Sequence, residues 1–319
     1  MADAAKVFFI GDVALDEYYS APYFPRIKDK VLVQALSSQM GGMIANAACV
    51  YASFGGRASF LAALNSGAVS RQLCDGLQEA GLDVTYMVWD DSLPDSKTII
   101  ILAENEHTVF IPTLNLQKIE LPLAALDAIC ASDYLYSAFC ELRPLHHREL
   151  DAAGILARAK ASGCRLWCDL DVADIRDEDE RFFEYVDTLF VNEAGFQNLT
   201  ARAPGGDVPG WLFSKKLTLL VVTKAENGCA VFESGKEEYA VHGINVPVVD
   251  VTGAGDTFCS SFLYARTRTG DIRLCAEFAN FAAARAVTGM GPRAGADGVD
   301  AVLDFMCTNG GDPNRFSFL

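Results

Sequence analysis

Positive charge, histidine, paired cysteines and long apolar runs are what this sequence has little of. Its 319 residues hold 26 Lys and Arg against 42 Asp and Glu, a net charge of −16. So acidic a surface repels the phosphates of nucleic acids and anionic lipids, which excludes both as partners; an anionic ligand would need local amides, a metal ion or a few placed cations. No apolar run is long enough to span a bilayer, and residues Met1 to Asp3 lack the basic flank and apolar core of a cleaved leader, so a cytoplasmic protein is expected. Ten cysteines are scattered through apolar runs without a Cys-x-x-Cys pair. The nearest two, Cys164 and Cys168, have no His or Cys cluster to complete a site, and His146 and His147 would diverge on a helix. Reduced thiols, not zinc or disulfides, are the expectation.

What is present reads as an ordinary α/β globule, with 51% apolar and 21% charged residues. Its length suits a single domain over residues 1–319. Period-two apolar stretches predict strands over 6–10, 57–64, 83–88, 134–137, 165–169, 188–191 and 217–223. Helical spacing predicts helices after Gly41-Gly42 and over 70–80, 121–130, 144–162, 177–186, 256–269 and 272–288. Two segments break this rhythm: the aromatic, proline-interrupted 17–39 and a hairpin at 97–111, which together would form a small β-sheet lid. The lid's Tyr18, Tyr19, Tyr23 and Phe24 could stack a base or pack the lid itself.

Residues 246–265, VPVVDVTGAGDTFCSSFLYA, organise the rest. A β-branched run, 246–251, predicts a buried strand; a glycine turn follows; Asp256 then opens a helix. The first amides of a helix have no intrahelical partner, so this turn offers a cradle for an anion. A carboxylate in the first turn is held ionised by the helix dipole and can take a proton from a hydroxyl beside it, although an Asp here also reads as plain helix punctuation. Asp12 and Asp16 follow the first strand, at the edge where open parallel sheets bind ligands, but Asp12 reads equally well as a turn acid facing water.

The segments Gly41-Gly42-Met43-Ile44-Ala45-Asn46-Ala47-Ala48 and Asp250-Val251-Thr252-Gly253-Ala254-Gly255-Asp256 together resemble the two signatures of the ribokinase-like (PfkB) carbohydrate kinases. The likeness runs through nearly the whole chain. It implies a doubly wound, mostly parallel sheet with helices on both faces and a small β-sheet lid. The implied reaction is transfer of the γ-phosphoryl group of ATP, with Mg2+, to a hydroxyl of a small sugar or polyol. A nucleoside kinase and a non-catalytic sensor on the same fold are the alternatives. By the resemblance, Asp256 is the base; the amides of Gly253, Ala254 and Gly255 form the anion hole; and Asp16, Gly42 and Asn46 hold sugar hydroxyls. Thr223, Ala225 and Gly228 fall in the nucleotide-side segment, and Asn280 borders the nucleotide base. Asp250 and Thr252 lie where relatives place a monovalent cation such as K+. Apart from the resemblance, the exposed edges of the lid sheet would suit a homodimer paired lid to lid. The family's Asn-x-x-Glu, associated with Mg2+, appears as Asn192-Glu193-Ala194-Gly195, with Gly195 in the glutamate's place; either Glu193 substitutes through water or the metal is held differently. Val251, Ala225 and Asn65-Ser66-Gly67 are further departures, bearing on substrate and cation more than on the base.

Overall fold

Along strand β1 (Lys6–Ile10), Val7 and Phe9 enter one apolar cluster while Phe8 and Ile10 enter another. Successive side chains of a strand point to opposite faces, so both faces of this sheet are covered. The computed structural model describes residues 4–104, 106–114, 116–170 and 175–319, with the backbone alone at 107.

The strands of the two larger sheets are β1, β2 (Ala14–Ser20), β3 (Gln34–Ala35), β4 (Gln39–Gly41), β5 (Arg57–Leu61), β6 (Lys97–Ala103), β7 (Glu106–Phe110), β8 (Tyr134–Ser137), β9 (Arg165–Leu170), β10 (Val186–Asn192), β11 (Leu219–Thr223), β12 (Cys229–Glu233) and β13 (Tyr239–Val241). Among the described residues the main sheet has eight strands, ordered β13-β12-β11-β10-β9-β8-β1-β5. All its pairings are parallel up to β11, and the β12–β13 hairpin adds an antiparallel edge. One face is covered by α1 (Met43–Ser53), α2 (Ala68–Glu79), α6 (Ala254–Arg266), α7 (Ile272–Ala286) and α8 (Val299–Thr308). The other is covered by α3 (Leu123–Cys130), α4 (Ala152–Ala161) and α5 (Glu193–Arg202). The chain leaves β1 for β5 on one side and comes back to β8 on the other, and the crevice beyond the strand ends at such a reversal is where doubly wound sheets bind ligands.

The lid is a separate sheet ordered β3-β2-β6-β7, with β4 also paired to β2. It begins earlier than the sequence suggests. Asp16 lies on β2 itself, opposite Gln39 of β4 and Thr98 of β6. Phe24 stacks on Phe110 within the lid, at a ring separation of 6.4 Å, which favours lid packing over base stacking for that ring. In the 97–111 hairpin, Asn105 lies outside the described residues.

Four local expectations need correction. Residues 246–251 form no strand: Val248, Val249 and Val251 are 61%, 55% and 58% exposed. They follow β13, the outermost strand, and are held instead by the Val249 and Asp250 amides donating to the Val287 carbonyl at 2.8 and 3.3 Å. The helix expected over 144–162 starts at Ala152, because the Asp151 carboxylate accepts the Gly154 amide at 2.9 Å as N-cap, while Leu145–His146 pairs with Ile119–Glu120. The helix expected over 177–186 is a 3-10 helix, Asp177–Glu184. The strand over 83–88 is reduced to Val88–Trp89, paired with Ala63–Leu64. Helix α8 has no counterpart among the expected helices, and beyond it Phe316 is buried 6.1 Å from the ring of Phe278.

Candidate active site

Helices α1 and α6 pack side by side on the sheet and bring the two glycine segments together. Their contact is close because Ala45, Ala47 and Ala48 are small and buried; Ser260 Oγ donates to the Ala47 carbonyl at 2.5 Å, and Tyr51 meets Tyr264 at 5.7 Å between ring centres. Asn46 Nδ2 thereby donates to Asp256 Oδ2 at 2.9 Å, across 210 positions of sequence.

The start of α6 is set by Gly253, the N-cap, whose φ of 75° lies in the left-handed region that side chains disfavour. A Cβ on Gly253 would also collide with the Pro292 carbonyl, so the turn presses directly on the 291–293 loop. Asp256 therefore stands three residues inside the helix and is not its cap. The Ala254 amide donates to the Val251 carbonyl at 3.2 Å, which leaves Gly255 as the member of the turn that lines open space. Asp250 ties the turn down. One of its oxygens accepts the Thr252 amide and hydroxyl at 2.9 and 2.7 Å, and the other accepts the Gly291 amide at 2.9 Å.

Gly255 and Asp256 open onto a cavity of about 300 Å³ at the carboxyl ends of the strands, lined also by Asp169, Asn192 and Thr223. Asp169 is two residues beyond Trp167 on β9 and so faces the α6 side. It accepts from the Tyr136 hydroxyl at 3.3 Å and is hydrogen-bonded to the Cys259 thiol. Burial pushes both the Tyr136 hydroxyl and the Cys259 thiol well above their ordinary pKa values, so neither carries charge here. Asn192 caps α5, accepting the Gly195 amide at 2.7 Å, and Glu193 is exposed on the first turn of that helix.

On the lid side, Asp16 is 8% exposed, and burial raises its pKa to about 6 against the opposing hydrogen bond from Thr98, with Asp12 pushing it up further and Arg293 pulling it down. A Cβ on Gly41 would strike the Asp16 carboxylate, so that glycine permits the acid to lie against the backbone. Asp12 plays a structural part, for its two oxygens accept the Met43 and Ile44 amides at 3.1 and 3.2 Å, closing the start of α1 where the N-cap, Gly42, has no side chain to do so. Asn46 is 5% exposed, and its carbonyl accepts from Arg293 Nε at 3.2 Å. One amide hydrogen and one lone pair of Asn46 remain for a ligand.

The residues that the resemblance puts on the nucleotide side are more dispersed. Thr223, at the end of β11, meets Asn192 at the cavity, and its hydroxyl donates to the Val191 carbonyl at 3.4 Å. Ala225 takes a φ of 46°, a strained value for a residue with a Cβ, and Gly228 closes that turn, its carbonyl accepting the Lys224 amide at 2.7 Å. Asn280 is buried, and its amide donates to the Val241 and His242 carbonyls at 3.2 and 3.1 Å, so it anchors the end of β13.

Asp169 and Arg293 do not stand out in the sequence. An acid ending an apolar strand at the ligand edge of the sheet is the signal that singles out Asp12, and it applies equally to Asp169. Arg293 is a lone cation after a Gly-x-Gly-Pro loop in an acidic chain, and nothing local separates it from a surface arginine.

The model of the pfkB family of carbohydrate kinases matches residues 4–297. The ribokinase of Haemophilus influenzae is 23% identical over 305 residues, covering 93% of this chain and 97% of that protein. The bifunctional protein HldE of Shewanella amazonensis is 24% identical over 309 residues; the match covers 91% of this chain but spans only 61% of that relative's length. Among solved structures, ribokinase from Thermotoga maritima superposes with a TM-score of 0.80 at 19% identity, covering 96% of this chain and all (100%) of that one. Arabidopsis thaliana ribokinase complexed with ribose and ATP superposes with a TM-score of 0.79 at 20% identity, covering 95% and 98%. The ribokinase fold is thus shared along its length, lid included, and the chain belongs to the pfkB family of carbohydrate kinases.

Proposed function

We propose that this kinase transfers the γ-phosphoryl group of ATP to a hydroxyl of a small sugar or polyol. The observation that carries the reading is the Asn46–Asp256 hydrogen bond, which sets a carboxylate in the first turn of α6 between the lid-side polar groups and the cavity lined by Gly255. The acceptor oxygen forms a bond to the γ-phosphorus as the bond from that phosphorus to the β,γ-bridging oxygen breaks. The hydroxyl proton passes to Asp256, and ADP leaves. The amides at the start of α6 receive the charge on the transferring group, where fixed donors need no reorganisation. Asp16, Gly42 and Asn46 hold the acceptor; Thr223, Ala225, Gly228 and Asn280 border the nucleotide. Placed on the lid, Asp16 links closure of that sheet to acceptor binding and so to exclusion of water.

A hydrated Mg2+ suits the cavity, because the Asp169 carboxylate and the Asn192 side chain on its wall are oxygen donors and Mg2+ keeps several waters. Bound there, it would neutralise phosphate charge that an acidic chain cannot. Turnover should therefore vanish in excess chelator and return with added Mg2+; undiminished turnover would sink this part of the reading. The substrate class is tested by ATP consumption against a panel of sugars, polyols and nucleosides. Consumption with nucleosides alone would move the assignment to a nucleoside kinase, and tight binding without turnover would make the protein a sensor.

The state of Asp16 gives a pH test. Above about pH 6 it is a carboxylate able to accept from substrate hydroxyls; below, it is neutral. A hydrogen bond to a charged group is worth about 1.5–3 kcal/mol, so the acceptor KM should rise roughly tenfold or more as pH falls through that value, and Asp16→Asn should flatten the profile. Stability runs the opposite way. A raised carboxylate pKa costs folding free energy as pH climbs from 3.8 through about 6, so Asp16→Asn should melt higher than the parent at pH 7 and lose that advantage near pH 4. An acceptor KM that stays level between pH 5 and pH 7 would remove Asp16 from the acceptor site.

A further inference from the structure

We propose that Arg293 is a positioning residue that acts on Asp256 through Asn46, a role that rests on the assignment of Asp256 as the base. Arg293 Nε donates to Asn46 Oδ1 at 3.2 Å, and Asn46 Nδ2 donates to Asp256 Oδ2 at 2.9 Å, so a cation, an amide and a carboxylate stand in one line.

An asparagine amide can sit either way round, and here only one way serves the base. Flipped, Asn46 would turn its oxygen toward the Asp256 carboxylate, acceptor against acceptor. Arginine carries donors and no acceptor, so it can pair with the oxygen end of Asn46 and never with the nitrogen end. Arg293 thus selects the orientation that gives Asp256 an N–H donor and fixes the plane of its carboxylate. The positive charge also polarises the amide, which strengthens the second bond of the line.

The surroundings argue against an arginine kept only for packing. Its Nη2 is buried with no hydrogen-bond partner among the described residues, as are Thr257 Oγ1 and Ser261 Oγ on the neighbouring face of α6. The residue is half-buried, and a guanidinium held there with a buried, unfilled donor is a poor stabiliser compared with an apolar side chain of the same size. The acids around it come from separate elements. Asp16 of β2 feels its charge and is itself near Asp12 beyond β1, the neutral Cys49 thiol of α1 feels it too, and Asp256 of α6 is reached through Asn46. The loop carrying Arg293 is held to the anion-hole turn by the bond from the Gly291 amide to Asp250 and by the seat of Pro292 against Gly253. A side chain so held can set angles at the base that a free surface arginine could not.

The test is a double-mutant cycle on the full chain. Arg293→Gln is chosen because glutamine has both a donor and an acceptor, so it pairs with either orientation of Asn46 and selects neither. Its kcat should fall about a hundred-fold, the scale of a misplaced reacting group, while the KM for ATP stays within about threefold. In an Asn46→Ala background the same substitution should lower kcat no further, because the path it acts through is gone. Arg293→Lys, still all donor, should recover part of the loss. A parent-like kcat in Arg293→Gln, or fully additive effects in the cycle, overturns the proposal. If Arg293→Gln does not fold, the lysine variant carries the measurement, and if neither folds, Arg293 is structural and the proposal falls. Asp256→Asn separates the two levels: an active Asp256→Asn removes the base itself, whereas an inactive one beside an unaffected Arg293→Gln removes only the positioning role.

Discussion

Asp256→Asn is expected to turn over about a hundred- to ten-thousand-fold more slowly than the parent, the range general-base help supplies, with ATP and acceptor affinities nearly unchanged. Asparagine has the same size and keeps an oxygen to accept from Asn46, so the contact between α1 and α6 survives. The start of α6 does not depend on the substitution, because Gly253 is the N-cap. Loss of a negative charge in the first turn removes a dipole interaction of about 0.3–1 kcal/mol, a small change in unfolding temperature. What the amide cannot do is take the proton of the attacking hydroxyl. Steady-state kinetics beside a melting curve decide the matter: turnover within about threefold of the parent, far short of the general-base range, would leave Asp256 a helix-start acid without a chemical role.

How much of this site can be read along the chain depends on whether the cause is local. The glycine turn and the acid after it are local, since helix-start amides and the first-turn carboxylate follow from a few consecutive residues. The alternation of Val7 and Phe9 against Phe8 and Ile10 is local too, and with it the layered sheet. The junction of Asn46 with Asp256 is not: it requires α1 and α6 to be neighbours, which the resemblance implies and composition does not. The valines at 246–251 mislead because β-branched residues suit a buried strand, yet beyond the edge strand β13 they pair with no strand among the described residues and lie exposed, held by the Val287 carbonyl. Asp12 is ambiguous in the sequence for the same reason. Only the position of α1 shows that its carboxylate spends both oxygens on helix-start amides. Arg293 is the extreme case, for its meaning lies entirely in which end of one asparagine it meets.

The second large effect is expected at Gly255, where stability and turnover should part. At Gly253 an alanine must adopt a left-handed conformation costing roughly 1–2 kcal/mol, and its methyl would strike the Pro292 carbonyl, so Gly253→Ala should melt lower and lose turnover together. Gly255 is different: it lies inside the first turn of α6, and a Cβ there meets nothing within 4 Å. Glycine to alanine within a helix typically stabilises by about 0.5–1 kcal/mol, so Gly255→Ala should melt at or above the parent temperature. The methyl nevertheless stands in the cavity in front of the helix-start amides, where the proposed reaction brings the transferring phosphoryl group close. Displacing that group by a bond length or so should cost about a hundred-fold in turnover. ATP should bind more weakly as well, which distinguishes this variant from Asp256→Asn, whose ATP affinity is kept. Titration of ATP, a melting curve and kcat on the same preparation read all three quantities. A Gly255→Ala protein that melts normally and turns over like the parent would mean that the phosphates do not approach this turn, and the anion hole would have to lie elsewhere on the cavity wall.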